Sequence, residues 1–418
     1  MDPHPYEFRC PVHGFITVND WERTIIDQPA FQRLRRIRQL AWTEYVYPGA
    51  LHSRFEHSLG VMHTASLLFD SIKSNSEGIL SSELSGTGLE RQRQLVRFAA
   101  LLHDVGHAPF SHAAEELFPD QGNGKGKYTH EQYSAAIIRK QLRSALEDHK
   151  ANHSLDLRAD DVAALVEGSA GAKQGIFWRP LLDGQMDADR MDYLLRDSHH
   201  LGVQYGRFDL HRLINTIRAI RMGEGSPRLG ITKDGFHAAE ALVIARYFMF
   251  TQVYFHKTRV AFDIHLREAL KELLPGGVFP APKDGELDQF LEWDDWRVLG
   301  LLAEKKGGEH GERLATRNHF RKIYETPETR SEKDNVELER RKSALGNLLA
   351  AEESAERSWY KTGRLHDIPV VDNQKVAPLS SYSKVVGNLK TNNQVLLYVR
   401  PENVDEAKKI MDGLENGK

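Results

Sequence analysis

Four residues with the side chains that hold divalent transition metals stand at four helical places in this 418-residue chain: His57, His103, Asp104 and Asp189. His103-Asp104 closes an apolar run, Val96-Arg-Phe-Ala-Ala-Leu-Leu102, and is followed by His107 and His112. Such polarity is seldom placed at the end of a buried helix unless something pairs with it. Neutral imidazole and ionised carboxylate are the ligands of Zn, Mn, Fe or Ni. A lone His-Asp pair reads as one satisfied core histidine beside a helix-terminal aspartate. Here His57 lies on an earlier helix, and Asp189 lies in Met186-Asp-Ala-Asp-Arg-Met-Asp192 on a later one. Two imidazoles with two carboxylates leave positions open on a six-coordinate ion, which suits an ion that holds water and a phosphate oxygen rather than a closed structural site.

The elements that must carry these groups are mainly helical. Apolar residues at helical spacing predict helices over 18–40, 55–72, 89–104, 111–117, 130–149, 159–167, 186–200 and 237–274. Arg33, Arg35, Arg36 and Arg38 fall between the apolar positions of the first and read as its solvated face. Glu44–Gly49 reads as a short strand or turn, 74–88 as a polar loop, Gly223–Pro227 as a turn and Arg228–Gly235 as a hairpin. Gln121–Lys127 is glycine-rich, but Tyr128 follows its lysine and no strand precedes it, so it is a mobile loop and not a phosphate-binding one. Three prolines and two glycines in Pro275–Pro282 mark a boundary, giving regions 1–274 and 275–418. In the second, 303–357 reads as exposed, charged helices, Ile368–Val371 and Val395–Val399 as strands, and Asn403–Leu414 as a helix. The fold expected is a mainly α bundle with a C-terminal α+β extension.

A formal charge of −3 from 56 basic and 59 acidic residues does not call for a polyanionic partner, so nucleic acid is not indicated. Cys10 is the only cysteine, which leaves no thiolate zinc cluster and fits a reducing, cytoplasmic setting. No signal peptide is expected from Met1–Glu7, and no apolar run approaches the roughly 18 residues of a membrane span.

The order H…HD…D resembles that of the HD-domain phosphohydrolases. The blocks Phe31–Leu40, Tyr47-Pro-Gly-Ala, Arg54-Phe-Glu-His-Ser-Leu-Gly, His103–His112, Thr129-His130-Glu-Gln and Asp189–Gly202 are similar to those of the deoxynucleoside triphosphate triphosphohydrolases within that superfamily, over about residues 10–270. The resemblance implies an HD-domain helical bundle and hydrolysis of dNTPs to deoxynucleoside and tripolyphosphate. It implies a divalent ion (Mn, Mg, Fe, Zn or Ni) held by His57, His103, Asp104 and Asp189. Arg54, His107 and Arg190 would contact the triphosphate, Arg190 standing where the family commonly has lysine. Gln39 and Asp197 would hold the sugar 3′-hydroxyl, Leu40 would crowd the 2′ carbon and Tyr193 would pack beneath the ring. His112 and His130 would handle protons at the α-phosphate, oriented by Glu115 where close relatives have aspartate. A homo-oligomer follows from the same resemblance, and His13, in Pro11-Val-His-Gly, resembles the edge of the family's nucleotide effector site.

Other readings stay open on the residues alone. Tyr193 also suits a helix core, and His199-His200 suits either a second metal pair or groups at a helix end. The activity could be directed at another phosphoester (a cyclic or signalling nucleotide, or a nucleoside monophosphate), or the chain could be a nucleotide or nucleic-acid sensor with the arginine stripe as its footprint. Gln39, Leu40, Tyr193 and Asp197 together favour the deoxynucleotide, because a leucine against the 2′ carbon matters only to a deoxy selector.

Overall fold

Asn19 begins the first helix, α1 (Asp20–Ile26), through a capping box with Glu22, and Gln28 before Pro29 is forced into extended backbone. The single helix expected over 18–40 is therefore three pieces: α1, one turn at Pro29–Gln32 and a 3₁₀ turn at Arg33–Arg36, after which Ile37 is extended. The structure is a computed structural model that describes residues 5–80, 86–122, 124–169, 176–221, 227–355, 360, 367–373 and 375–416. Breaking this segment turns the arginine stripe inward. Arg33 is buried and donates to the carbonyls of Trp293 and His107, while Arg36 pairs with Asp294. The expected solvated face is thus partly an internal clamp.

Ahead of α1 stands an antiparallel hairpin, β1 (Tyr6–Cys10) and β2 (Gly14–Val18). The bundle itself is built from α2 (Arg54–Asn75), α3 (Gly86–Leu102), α4 (His130–Lys140), α5 (Ala159–Glu167) and α6 (Ala188–Leu201). α2 packs on α3 and α6, and α4 packs on α5. Val61, Met62, Leu68, Phe98, Leu101, Ile137, Leu165, Met191 and Leu194 are among the fully buried core. The region read as a loop at 74–88 holds a helical turn at Glu77–Leu80 and the start of α3, and 81–85 lie outside the described residues. Ala41–Tyr45 is a 3₁₀ turn and the expected 130–149 helix breaks after Lys140. Asp120 and Lys127 bridge to close the glycine-rich loop.

α7 (Leu210–Thr216) leads into β3 (Ile217–Ile220), which pairs antiparallel with β4 (Arg228–Thr232); the turn expected at 223–227 falls, but for Pro227, outside the described residues. The long helix expected over 237–274 is two: α8 (Phe236–Met249) and α9 (Lys257–Leu273), separated by a π turn at Phe250–Tyr254. α10 (Asp295–Ala303) and α11 (Gly308–Ala315) follow. The 303–357 region holds helix α12 (Glu332–Leu345) but also two strands, β5 (Arg321–Glu325) and β6 (Leu349–Ser354), that charge density concealed. The chain then gives β7 (Pro369–Asp372), β8 (Lys375–Pro378), β9 (Val395–Val399) and α13 (Val404–Asn416).

β9 is the middle strand of an antiparallel sheet of order β5-β9-β6 and is buried on both faces. One face carries Val395, Leu397 and Val399 against Leu338, Ala407 and Met411 of α12 and α13; the other sets Leu396 and Tyr398 on Val260, Ala261 and Ile264 of α9. β7 pairs parallel with β4, so a sheet of order β3-β4-β7-β8 ties residues 228–232 to 369–372. No helix among the described residues is long and apolar enough to cross a membrane.

Candidate active site

Ser53 and Glu56 form the capping box that starts α2, which puts Arg54 and His57 on its first turn. His57 Nδ1–H donates to Asp192 Oδ2 at 2.8 Å, leaving Nε2 facing Asp189 Oδ1 at 3.0 Å. Asp189 and Asp192 are three apart on α6 and so share a face. His103 Nδ1–H donates to the Ala100 carbonyl at 2.8 Å, and its Nε2 is buried with no hydrogen-bond partner, 3.2 Å from Asp104 Oδ1 and 3.8 Å from Asp189 Oδ1. Asp104 Oδ2 lies 3.6 Å from His57 Nε2. Ligands side by side on an ion bound at about 2.1 Å stand about 3 Å apart, so His57, His103 and Asp104 are grouped closely enough for one divalent ion, with Asp189 adjoining them on the side of the two histidines. The orphaned Nε2 of His103 is the lone pair such an ion would take. Both histidines have the other ring nitrogen tied to an acceptor, which fixes the ligating tautomer.

Electrostatics agree with a cation site. Burial opposes charge on His57, yet Asp189, Asp192 and Asp104 overcome it and push it up to about 10. Burial likewise raises Asp104 and Asp189, but Arg54, His103 and His107 hold the first well below the carboxylate range, and His103 and His57 hold the second below it.

Asp192 is a hub the sequence reading passed over. It accepts from His57, from His13 at 2.6 Å and from Arg196 through two bonds of 2.8 Å. Its signal was its position one turn beyond Asp189. α2 can lie this close to α6 because residue 60 is glycine: a Cβ there would stand 1.9 Å from Asp192 Oδ1.

A second group adjoins the first. His107 stands between them, with Nε2 at 3.1 Å from Asp104 Oδ1 and Nδ1 at 3.2 Å from Glu115 Oε1, neither aligned as a hydrogen bond. His112 Nδ1–H donates to the same Glu115 oxygen at 2.9 Å, and His130 Nδ1 lies 2.9 Å from it. His107 and His130 stack with centroids 4.0 Å apart. Burial disfavours charge on His130, but Glu115 outweighs it and lifts it to about 9; burial, Arg54 and His130 push His107 down to about 4. Burial raises Glu115, but His112 and His130 hold it well below its usual range. His112 is 57% exposed, the most accessible side chain of this group. By residue type this group could also hold a cation. Gly106 lets the HD turn reach α4, where a Cβ would meet Ser134 N at 2.2 Å.

The sugar-side candidates meet through His52. Its carbonyl accepts from Gln39 N at 3.0 Å, and its Nε2–H donates to Asp197 Oδ1 at 2.7 Å. Tyr254, the last residue of the π turn, donates its hydroxyl to Asp197 Oδ2 at 2.6 Å, and half-buried Tyr193 meets its ring edge-on at 6.1 Å. Gln39 Oε1 is buried without a partner, and Leu40 is buried beside it in sequence. Arg54 is buried and donates to Asp104 and, at 2.7 Å, to Ser111 Oγ. Arg190 instead pairs with Asp187 at 3.0 Å. His200 lies 3.3 Å from Glu56 and stacks on His52, the behaviour of a helix-end residue.

A helical bundle that brings His57, His103, Asp104 and Asp189 together from two helices and the turn that follows α3 defines the class. Residues 54–197 match the HD domain and 208–413 the HD associated region, and the chain belongs to the HD-domain superfamily. It is 36% identical over 295 residues to an uncharacterized protein of Methanocaldococcus jannaschii, covering 70% of this chain and 54% of that one. It is 34% identical over 267 residues to a Dictyostelium discoideum protein named deoxynucleoside triphosphate triphosphohydrolase SAMHD1 homolog, covering 62% and 48%. The chain thus spans about half the length of these curated relatives. The crystal structure of a hypothetical protein from Aquifex aeolicus superposes with a TM-score of 0.80 at 29% identity, covering 98% of this chain and all of that one.

Proposed function

We propose that this chain is a divalent-metal phosphohydrolase that cleaves dNTPs to deoxynucleoside and tripolyphosphate. The observation that carries the reading is the contact between the two groups: the ligand Asp104 and the proton-handling Glu115 stand 3.1 and 3.2 Å from opposite nitrogens of one ring, His107. A phosphoryl group lying against that ring would touch both. A divalent ion held by His57, His103, Asp104 and Asp189 supplies Lewis acidity toward water and phosphoryl oxygen.

The remaining work falls to side chains. Arg54 and Arg190 balance the charge of the triphosphate, Arg190 by exchanging Asp187 for it. Water adds to the α-phosphorus and the bond to the 5′-oxygen breaks. His112 gives the proton on its Nε2 to that oxygen while Glu115 holds its Nδ1–H, the attacking water releases its proton to solvent, and His112 takes one back from solvent; cationic His130 on the same carboxylate balances its charge. Gln39 Oε1, lacking an internal partner, accepts from the 3′-hydroxyl together with Asp197, and Tyr193 packs beneath the sugar. A 2′-hydroxyl would be buried against Leu40 without a partner, at about 1–3 kcal/mol, so ribonucleotides should turn over roughly 10- to 100-fold more slowly. Homo-oligomeric assembly and a nucleotide effector site near His13 belong to the same reading and rest on the family resemblance.

The test is product analysis by phosphorus NMR after incubating dATP and, separately, ATP with Mn²⁺ and protein. Tripolyphosphate from dATP, with ATP slow, supports the reading. Pyrophosphate, or equal turnover of the two, would move the activity to another phosphoester.

A further inference from the structure

Phe110 and Ser111, which lead into His112, are both left-handed, with φ of 58° and 59°. Neither is glycine, and two such residues in succession must be held by their surroundings. The hold comes from Asp295, the first residue of α10, nearly 100 residues beyond the segment that matches the HD domain. Its Oδ1 accepts from Phe110 N–H at 2.7 Å and its Oδ2 from Arg38 N–H at 2.9 Å. The two amides belong to the two segments that carry the site's outer residues: Arg38 precedes Gln39-Leu40, and Phe110 precedes Ser111-His112.

The connection continues inward. Ser111 Oγ–H donates to the Arg38 carbonyl at 2.7 Å and accepts from Arg54 Nε at 2.7 Å, while Arg54 pairs with the ligand Asp104. Arg38 bridges to Ser53, and Gln39 N–H donates to the His52 carbonyl, which fixes the extended segment against the start of α2. The two residues before Asp295 grip the same region. The Trp293 carbonyl accepts from Arg33 at 2.6 Å, Arg33 also donates to the His107 carbonyl at 3.0 Å, and Asp294 pairs with Arg36 at 2.5 Å. Asp295 is 1% exposed. Burial pushes it up to about 7 against the pull of its two amide donors and of Arg38 and Arg33, so the carboxylate sits where it is costly to keep unless the contacts matter.

We propose that Asp295 is a positioning residue that sets the separation between the Gln39-Leu40 segment and the Ser111-His112 turn, and through it both the discrimination between sugars and the placement of His112. This rests on the phosphohydrolase reading. A carboxylate that only stabilised the fold would lower the amount of active protein and leave sugar preference alone. Asp295 accepts from both segments with separate oxygens, so losing one oxygen loosens the segments relative to each other without removing the metal ligands.

The experiment compares wild type with Asp295→Asn and Asp295→Ala, each well below its own unfolding midpoint. It reads metal content, kcat and KM for dATP and ATP, and amide hydrogen exchange in peptides spanning 37–41 and 108–113. Asn keeps the shape and one acceptor, so it is the variant that should fold if Ala does not. The expected result is full metal content, kcat for dATP down tenfold or more, and a dATP-to-ATP ratio reduced several-fold. Exchange should quicken in both peptides together. Unchanged exchange in either peptide, or a fall in kcat with the dATP-to-ATP ratio intact, would overturn the proposal. The wild type alone provides a further check: the Arg38 and Phe110 amides should exchange as slowly as those of the adjoining helices, and free exchange at either would also overturn it. If wild type hydrolyses no dNTP, the phosphohydrolase reading fails, while the exchange data still report on the clamp.

Discussion

Gly60→Ala should cost this protein both stability and metal affinity, although it adds one methyl group outside the ligand set. The new Cβ would stand 1.9 Å from Asp192 Oδ1, 2.3 Å from Arg196 Nη2 and 2.7 Å from Asp192 Cγ. Ordinary contact lies near 3.5 Å, so either α2 and α6 part by about 1.5 Å or the Asp192–Arg196 pair gives way. Both partners of that pair are fully buried. Overpacking costs about 1–3 kcal/mol and breaking a buried pair about 3–5, so a loss on the order of 3 kcal/mol is expected. Metal ligands tolerate displacements of only about 0.2 Å, and His57 and Asp189 sit on the two helices being forced apart. Disturbing the partners that orient metal ligands, as Asp192 orients His57, costs about 10- to 100-fold in metal affinity, and that is the loss expected. Urea unfolding with and without Mn²⁺, and calorimetric Mn²⁺ titration, measure the two effects. Gly78→Ala, where nothing lies within 4 Å, is the control and should be near neutral. Gly60→Ala with a wild-type urea midpoint and an affinity within twofold of wild type would refute the claim that close approach of α2 and α6 builds the site.

Two further outcomes follow from the geometry. Glu115 raises His130 to about 9 from an ordinary 6.5, so the ion pair contributes fully below about pH 6.5 and is lost as pH rises through 9; dNTP hydrolysis should fall along an alkaline limb near pH 9, and His130→Asn should abolish that limb in a pH–rate profile. Deleting 360–418 removes β9 from between β5 and β6, takes β7 from β4, and uncovers Val260 and Ile264 of α9. The shortened protein should bind a hydrophobic dye and scatter light as an aggregate, and a clean, monodisperse product would contradict this packing.

The candidate ligands are legible in the sequence because each is an imidazole or carboxylate at an end of a helix whose apolar period is plain, and the fold brings them within a few ångströms of one another. The same holds for the second group, compressed into His107–His130. What escaped was set by distant partners. Arg33 looks like a surface arginine because its acceptor, the Trp293 carbonyl, lies 260 residues away, and Asp295 carries no local sign of the two amides it holds. Other signals were local but outweighed. Pro29 after Gln28 marks the break in the 18–40 helix, yet the three-residue apolar spacing runs on through it because the 3₁₀ turn keeps the same period. The strands β5 and β6 are half-exposed edges of a sheet whose apolar signal sits almost wholly in β9.

The central claim is a division of labour: one group holds the ion and its neighbour moves the proton. Metal content per chain, measured on Mn²⁺-loaded wild type, His103→Ala and His112→Ala after removal of free ion, tests it most directly. One ion in wild type, none in His103→Ala and one retained in His112→Ala, with hydrolysis absent from both variants, is the predicted pattern. An ion that survives His103→Ala but leaves with His112→Ala would contradict the account and place the metal on His107, His112, Glu115 and His130 instead.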